Sequence, residues 1–310
     1  MRKLLIYNGF YLFLMLPPSP PSRARGIALM LGAGLCWSLG GIIVRSLTLK
    51  DVWEIVFWRA LFMAACLTVL LLAMRGRAAL ASVRAIGRAG VLSGACLAAQ
   101  IYCFILALSH TTVANTFVLM SLSPLFAAMA GLLFLRERVA LHTWVAMAFA
   151  LGGVVIMFSE GLNGGRWLGN LYALGVPLGY ACQIVFVRKV TGDRGAAPDL
   201  LPTVLLGGVF AMIPALFLGW PLEAAARDLS LLALMGCVQL GLGCWLMTLA
   251  VRHLRAAEMG LLALTETVLA PLWVWLGVGE APGAAALAGG ALIVGALVVN
   301  GWMGLRAGQG

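Results

Sequence analysis

The sequence predicts an all-α integral membrane protein: ten transmembrane helices arranged as two five-helix repeats of inverted topology. Three observations predict it. The first is composition. Of 310 residues, 63% are hydrophobic and only 10% charged, whereas a soluble domain carries roughly 25% charged residues. The second is run length. The apolar residues collect in stretches of about the 20 needed to cross a bilayer as a helix. They are mostly Leu, Ala, Gly and Met, without the alternation of a barrel. The third is an internal repeat at an offset of 143 residues.

The apolar runs lie at about 26–45, 52–74, 87–108, 112–135, 141–159, 168–189, 198–219, 229–251, 256–278 and 282–304. Short connections between them predict antiparallel neighbours. Ahead of the first run, "MRKLLIYNGFYLFLMLPPSPPSR" holds an apolar stretch too short to span, and its prolines stop a helix. Residues 1–25 are therefore read as a tail and 305–310 as a second, with the repeats at 26–160 and 167–304.

The 143-residue offset superposes His110 on His253, Arg45 on Arg188, Glu137 on Glu280 and Gly26 on Gly169. His, Glu and Arg are scarce here, so these matches count for more than Leu or Ala matches. Five helices per copy is an odd number, so the second copy enters from the opposite face. The result is a pseudo-two-fold axis in the membrane plane, as in many transporters. His110 and His253 then mark helix hairpins on opposite sides.

Basic residues set the orientation. With the N-terminus in the cytoplasm, Arg2, Lys3, Arg23, Arg25, Arg75, Arg77, Arg84, Arg88, Arg136, Arg138, Arg188, Lys189, Arg194, Arg252, Arg255 and Arg306 fall inside, and only Arg45, Lys50, Arg166 and Arg227 outside. This distribution places both termini in the cytoplasm and the chain in an inner membrane. It also accounts for the net charge of +10 without a nucleic-acid partner. The seven cysteines all lie in apolar runs and form no C-x-x-C pair, so they read as small apolar residues. No metal or cofactor is expected. The expected partners are lipid and a small-molecule substrate, and the expected state is a monomer.

Enzyme signatures are lacking: no phosphate-binding G-x-x-x-x-G-K-[ST], no H-E-x-x-H and no G-x-S-x-G occurs. The residue that invites chemistry is Glu266, in "LLALTETVLAPLWVWL". A carboxylate at bilayer depth costs several kcal/mol unless it faces protein or water, so it marks a functional site by default. The alternative is that it only hydrogen-bonds a neighbouring helix. Glu258, Thr265 and Glu266 share one helical face. Its repeat mate Ser123 belongs to a polar, uncharged face with Asn115 and Ser121. Pro124 and Pro271 predict kinks in the fourth and ninth helices. Trp37, Ser38, Gln100, Tyr102, Tyr180, Gln183, Gln239 and Trp245 are the other mid-span candidates for a substrate cavity. Trp37 and Tyr180 are themselves repeat mates. Arg59 reads as structural, snorkelling to the surface or paired with Glu54.

The chain resembles the drug/metabolite transporter superfamily, in its ten-helix EamA type. The resemblance rests on "GLCWSLGGIIVRS", "FWRALFMA" and "SLSPLFAAMAGLLFLRERV" in the first half. In the second half it rests on "RAAEMGLLALTETVLAPLWVWLGVGE" and the glycine-rich last helix. It implies a carrier with a central cavity built by helices 1, 3, 4, 6, 8 and 9, nearest to bacterial exporters of amino acids, aromatic ones included. Carriers of purines, riboflavin or similar metabolites, or a conduit, are the alternatives. The family's Glu-Pro pair in helix 9 reads Glu266-Thr267 here, with the proline at Pro271.

Overall fold

The computed structural model describes residues 23–76, 78–136, 139–163, 166–191, 200–250, 253–254 and 256–307. The expected tail up to residue 22, Glu137 and the Arg188 side chain lie outside the described set. All regular structure among the described residues is helical: ten long rods and one short connecting helix. They are α1 (Arg23–Ser46), α2 (Val52–Arg75), α3 (Gly87–His110), α4 in two pieces (Val113–Met120 and Ser123–Leu135) and α5 (Leu141–Asn163). The second half holds α6 (Trp167–Thr191), α7 (Leu200–Leu218), α8 in three joined pieces (Ala226–Leu234, Met235–Leu242, Gly243–Ala250), α9 (Ala256–Val278) and α10 (Ala284–Ala307).

Among the described residues, α1, α2, α3, α4, α7, α8, α9 and α10 give eight spans long and apolar enough to cross a membrane, and α5 a shorter apolar stretch over Leu141–Met157. Helix α6 adds 25 helical residues. Large apolar side chains such as Val69, Leu133, Phe217 and Leu276 cover the outer surface. Lipid tails are as apolar as these side chains, so exposing them to the bilayer has no hydrophobic cost.

Local structure adds to the sequence expectation or departs from it at several points. A short helix, Ala78–Arg84, joins α2 to α3. Helix α1 begins at Arg23, and α10 runs through Ala307, into the expected C-terminal tail. Helix α4 breaks at Ser121–Leu122, just before Pro124, which has no N–H to continue the ladder. The hydroxyls of Ser121 and Ser123 turn back onto the carbonyls of Val118 (2.6 Å) and Met120 (2.7 Å). Helix α9 runs uninterrupted through Pro271. Finally, α8 widens into a π-helical stretch at Met235–Leu242.

Exchanging the two halves maps α1 to α6, α2 to α7, α3 to α8, α4 to α9 and α5 to α10, and the packing obeys that exchange. Helix α3 packs on α6 and α8 on α1; α4 packs on α6 and α9 on α1; α7 packs on α3 and α2 on α8. The pairs α2·α7 and α5·α10 are their own mates, so they lie on the pseudo-two-fold axis. The histidine turns repeat the relation at the atomic level. The His110–Thr111 turn sits so close to Gly169 that an added Cβ would meet the His110 carbonyl carbon at 2.5 Å. The His253 turn sits likewise on Gly26, where a Cβ would meet the His253 Cβ at 2.7 Å.

Helices α1 and α9 run parallel in a fixed register. Arg23 pairs with Glu258 (2.8 Å), Trp273 Nε1 donates to Ser38 Oγ (3.0 Å), and Arg45 pairs with Glu280 (2.6 Å). The offset is 235 residues at all three points. The symmetry mate of the Ser38–Trp273 contact is Ala181 with Ala130, and these two pack together between α6 and α4. Two symmetry-related groups can be drawn, α1, α2, α8 and α9 in one body and α3, α4, α6 and α7 in the other, joined where α2 packs on α7. Each draws helices from both halves of the sequence.

Candidate functional site

The end of the bundle that holds Asp51 is tightly bonded. Arg45 donates from Nη1 to the Leu108 carbonyl (2.8 Å) and from Nη2 to the Thr111 carbonyl (2.7 Å), while Glu280 Oε1 accepts from the Val113 amide (2.9 Å). The α1–α9 seam thus clamps the α3–α4 turn. That turn is only Thr111 and Thr112, with Thr112 capping α4 at the Asn115 amide. Asn170 Oδ1 accepts from Thr111 Oγ1 (2.8 Å) and Asn115 Nδ2 (3.1 Å), which ties α6 in. Buried Asp228 accepts from the amides of Thr48 (3.1 Å) and Leu49 (2.8 Å) and from the Thr48 hydroxyl. Buried Glu54 holds the amides of Glu223 (2.8 Å) and Ala224 (2.7 Å) and the Trp58 indole (3.1 Å).

Below this seal lies a polar group in the apolar interior. Arg59 sits seven residues into α2, about 10 Å down the helix axis, and is only 3% exposed. It neither snorkels nor pairs with Glu54, contrary to the sequence expectation. Its Nη2 donates to Gln239 Oε1 (3.2 Å), and its guanidinium lies 5.0 Å from the Phe104 ring centroid. Nε and Nη1 are buried without a partner, and no acidic side chain among the described residues stands within 4.0 Å. The π stretch brings Gln239 to this position. Gly236, in the same stretch, lets α8 approach so closely that a Cβ would meet the Arg59 carbonyl oxygen at 2.6 Å. Gln239 Nε2 reaches the Trp37 carbonyl (3.4 Å), and Gly40 of α1 packs on both Gln239 and Phe104.

Glu266 of α9 is half-buried and has no hydrogen-bond or ion-pair partner among the described residues. Gly243 of α8 packs against the Trp37 indole, where an added Cβ would collide with Nε1. Trp245 is buried with Nε1 unbonded. Phe117 of α4 meets Phe104 edge-on at 5.8 Å. Arg59, a cation short of partners, is thus enclosed by Gln239, Phe104 and, behind Phe104, Phe117.

The family profile of EamA-like transporters matches residues 24–159 and again 167–302. The chain belongs to the EamA-like transporter family. Two curated relatives are both pseudopaline exporters, CntI, of Pseudomonas aeruginosa strains UCBPP-PA14 and PAO1. Each is 27% identical over 284 residues, covering 87% of this chain and 93% of the relative. One solved crystal structure superposes with a TM-score of 0.64 at 18% identity, over 91% of this chain and 99% of the other; it supports the fold.

Within this EamA chain the predicted site residues divide. Gln239 bonds Arg59 and reaches the Trp37 carbonyl, Trp245 is buried with Nε1 unbonded, and Glu266 is half-buried in α9. Thr265 faces Gly34 of α1, and the Ser38 hydroxyl is engaged with Leu35 and Trp273. Gln100 and Gln183 bond each other across α3 and α6 (3.3 Å), and Gln183 also donates to Ser93 Oγ (2.7 Å). The Tyr102 hydroxyl donates to the Ala211 carbonyl of α7 (2.5 Å). Asn115 belongs to the seal at the Asp51 end. Ser121 and Ser123 close the break in α4, and Glu258 pairs with Arg23 at the opposite end. Tyr180 is 40% exposed. Arg59, Phe104 and Trp273 were not chosen from sequence. For Arg59 a signal was present: the rule that singles out Glu266, an ionisable residue inside an apolar run, applies equally to "VFWRALF".

A groove of about 570 Å³ between α5 and α10 is lined by Leu141, Val145, Phe149, Leu292, Val299 and other apolar groups, with His142. It is suited to lipid chains.

Proposed function

We propose that this EamA-family protein is a secondary carrier that exports small amino-acid-type metabolites across the inner membrane by alternating access. The observation that carries the reading is Glu266, a half-buried carboxylate inside a membrane-spanning helix with no partner among the described residues. An unpaired acid at that depth suits a substrate ammonium or a transported proton. The curated relatives are exporters, which supports the outward direction. The distribution of Lys and Arg supports cytoplasmic termini, which makes the Asp51 end periplasmic.

On this reading the bodies that rock are α1–α2–α8–α9 against α3–α4–α6–α7, hinged where α2 meets α7 and α5 meets α10. They are not the two sequence halves. The bonds of Arg45 and Glu280 to the α3–α4 turn hold the periplasmic side shut, and the substrate enters from the cytoplasm.

The test is counterflow in proteoliposomes with labelled amino acids and related metabolites. Saturable counterflow is expected, and Glu266→Gln is expected to lower it at least tenfold. Undiminished flux in that variant removes Glu266 from the mechanism, and flux without saturation replaces the carrier with a conduit.

A further inference from the structure

Arg59 is a charge that the fold keeps at considerable cost. An ionised group moved from water into an apolar interior is penalised heavily unless it is paired and hydrogen-bonded. A guanidinium offers five N–H donors. Gln239 takes one, and Nε and Nη1 have no partner. The Phe104 ring adds a cation–π contact at 5.0 Å, which supplements hydrogen bonds without replacing them. A purely structural arginine at this site would be better replaced by an apolar residue of similar volume.

Its position is informative too. Gln239 belongs to the same body as Arg59, and Phe104 to the other. Separating the bodies withdraws Phe104 and uncovers the unspent face of the guanidinium, while Gln239 keeps the group oriented. The π-helical stretch that aims Gln239 is a distortion of a kind that concentrates at functional sites. Trp37, whose carbonyl receives Gln239, packs against Gly243 of the same α8.

We propose that Arg59 is the anchor for a substrate carboxylate, held in a charge-assisted fork and oriented by Gln239. The substrate class is then one that presents a carboxylate, the acid end of an amino acid included. This rests on the carrier reading above and narrows it. Phe104 covers the cation when the site is empty and yields to the ligand.

The experiment compares labelled L-phenylalanine, L-histidine and L-glutamate with their α-carboxamides in counterflow by the reconstituted full-length protein. For at least one pair, the free acid is expected to half-saturate at a tenfold or lower fraction of the amide's concentration. Arg59→Gln should erase that preference by weakening the acid alone, and Arg59→Lys should restore part of it. Melting curves in detergent establish that each variant is folded; the wild-type comparison needs no variant. Equal handling of acid and amide, or a preference that survives Arg59→Gln, overturns the assignment while leaving the carrier intact. No saturable counterflow of any probe overturns it together with the amino-acid reading.

Discussion

The clamp at the Asp51 end invites a quantitative test through Glu280→Gln. The Glu280 carboxylate accepts from Arg45 Nε (2.6 Å) and from the Val113 amide (2.9 Å). Glutamine keeps one oxygen for Val113 but turns an amide NH₂ toward Arg45, so the charge-assisted bond is lost. Hydrogen bonds to charged groups contribute about 1.5–3 kcal/mol. Both side chains are about one quarter exposed, so solvent screening places this one near the low end, about 2 kcal/mol. At 1.4 kcal/mol per factor of ten, that corresponds to roughly a 30-fold rise in the open population of the α3–α4 turn. Amide hydrogen exchange reads such local opening directly. Peptides covering residues 108–117 are expected to exchange about 30-fold faster in the variant, with α7 peptides unchanged. Unaltered exchange at 108–117 refutes the clamp. Loss of protection spread evenly over all helices refutes the claim that it is local.

Two further predictions concern the scaffold. Asp228→Asn leaves one acceptor for the three donors on Thr48 and Leu49, and Asp228 is buried; a loss of about 2–3 kcal/mol is expected, seen as a lower melting temperature in detergent with unchanged substrate preference. A shifted preference would place Asp228 in the transport site instead. Gly236→Ala drives a Cβ to 2.6 Å from the Arg59 carbonyl oxygen, so overpacking of about 1–3 kcal/mol should lower both melting temperature and counterflow. Gly295→Ala, where a Cβ meets nothing within 4 Å, is the control. Equal effects at the two positions defeat the argument that α8 must pack closely on Arg59.

Candidates for the site were legible in the sequence where a residue type is costly in a membrane. Glu266 announces itself because a carboxylate in an apolar run needs a reason. Gln239, Trp37 and Trp245 were found as polar or amphipathic groups at mid-span. Asn115, Gln100, Gln183 and Tyr102 satisfied the same criterion, yet they serve as bonds between helices. A sequence shows that a polar group must find a partner in the bilayer. It does not show whether that partner is a substrate or the next helix, because the partner is supplied by a distant segment.

Arg59 shows the same limit from the other side. Seven residues into a helix, an arginine reaches water if its face points outward, and is trapped if a neighbour closes over it. The neighbour is α8, brought close by Gly236 and turned by a π stretch that no local motif announces. By itself the sequence determined the membrane class, the helix periods and the inverted repeat, since these follow from hydropathy, span length and a constant offset along one chain. Only the tertiary structure decided that α1 locks to α9 in register, that the bodies interleave the two halves, and that Arg59 is closed in by Gln239 of α8. Those are contacts between residues some 180 to 235 positions apart, fixed by how complementary helix faces pack and by which buried charges are left without a partner.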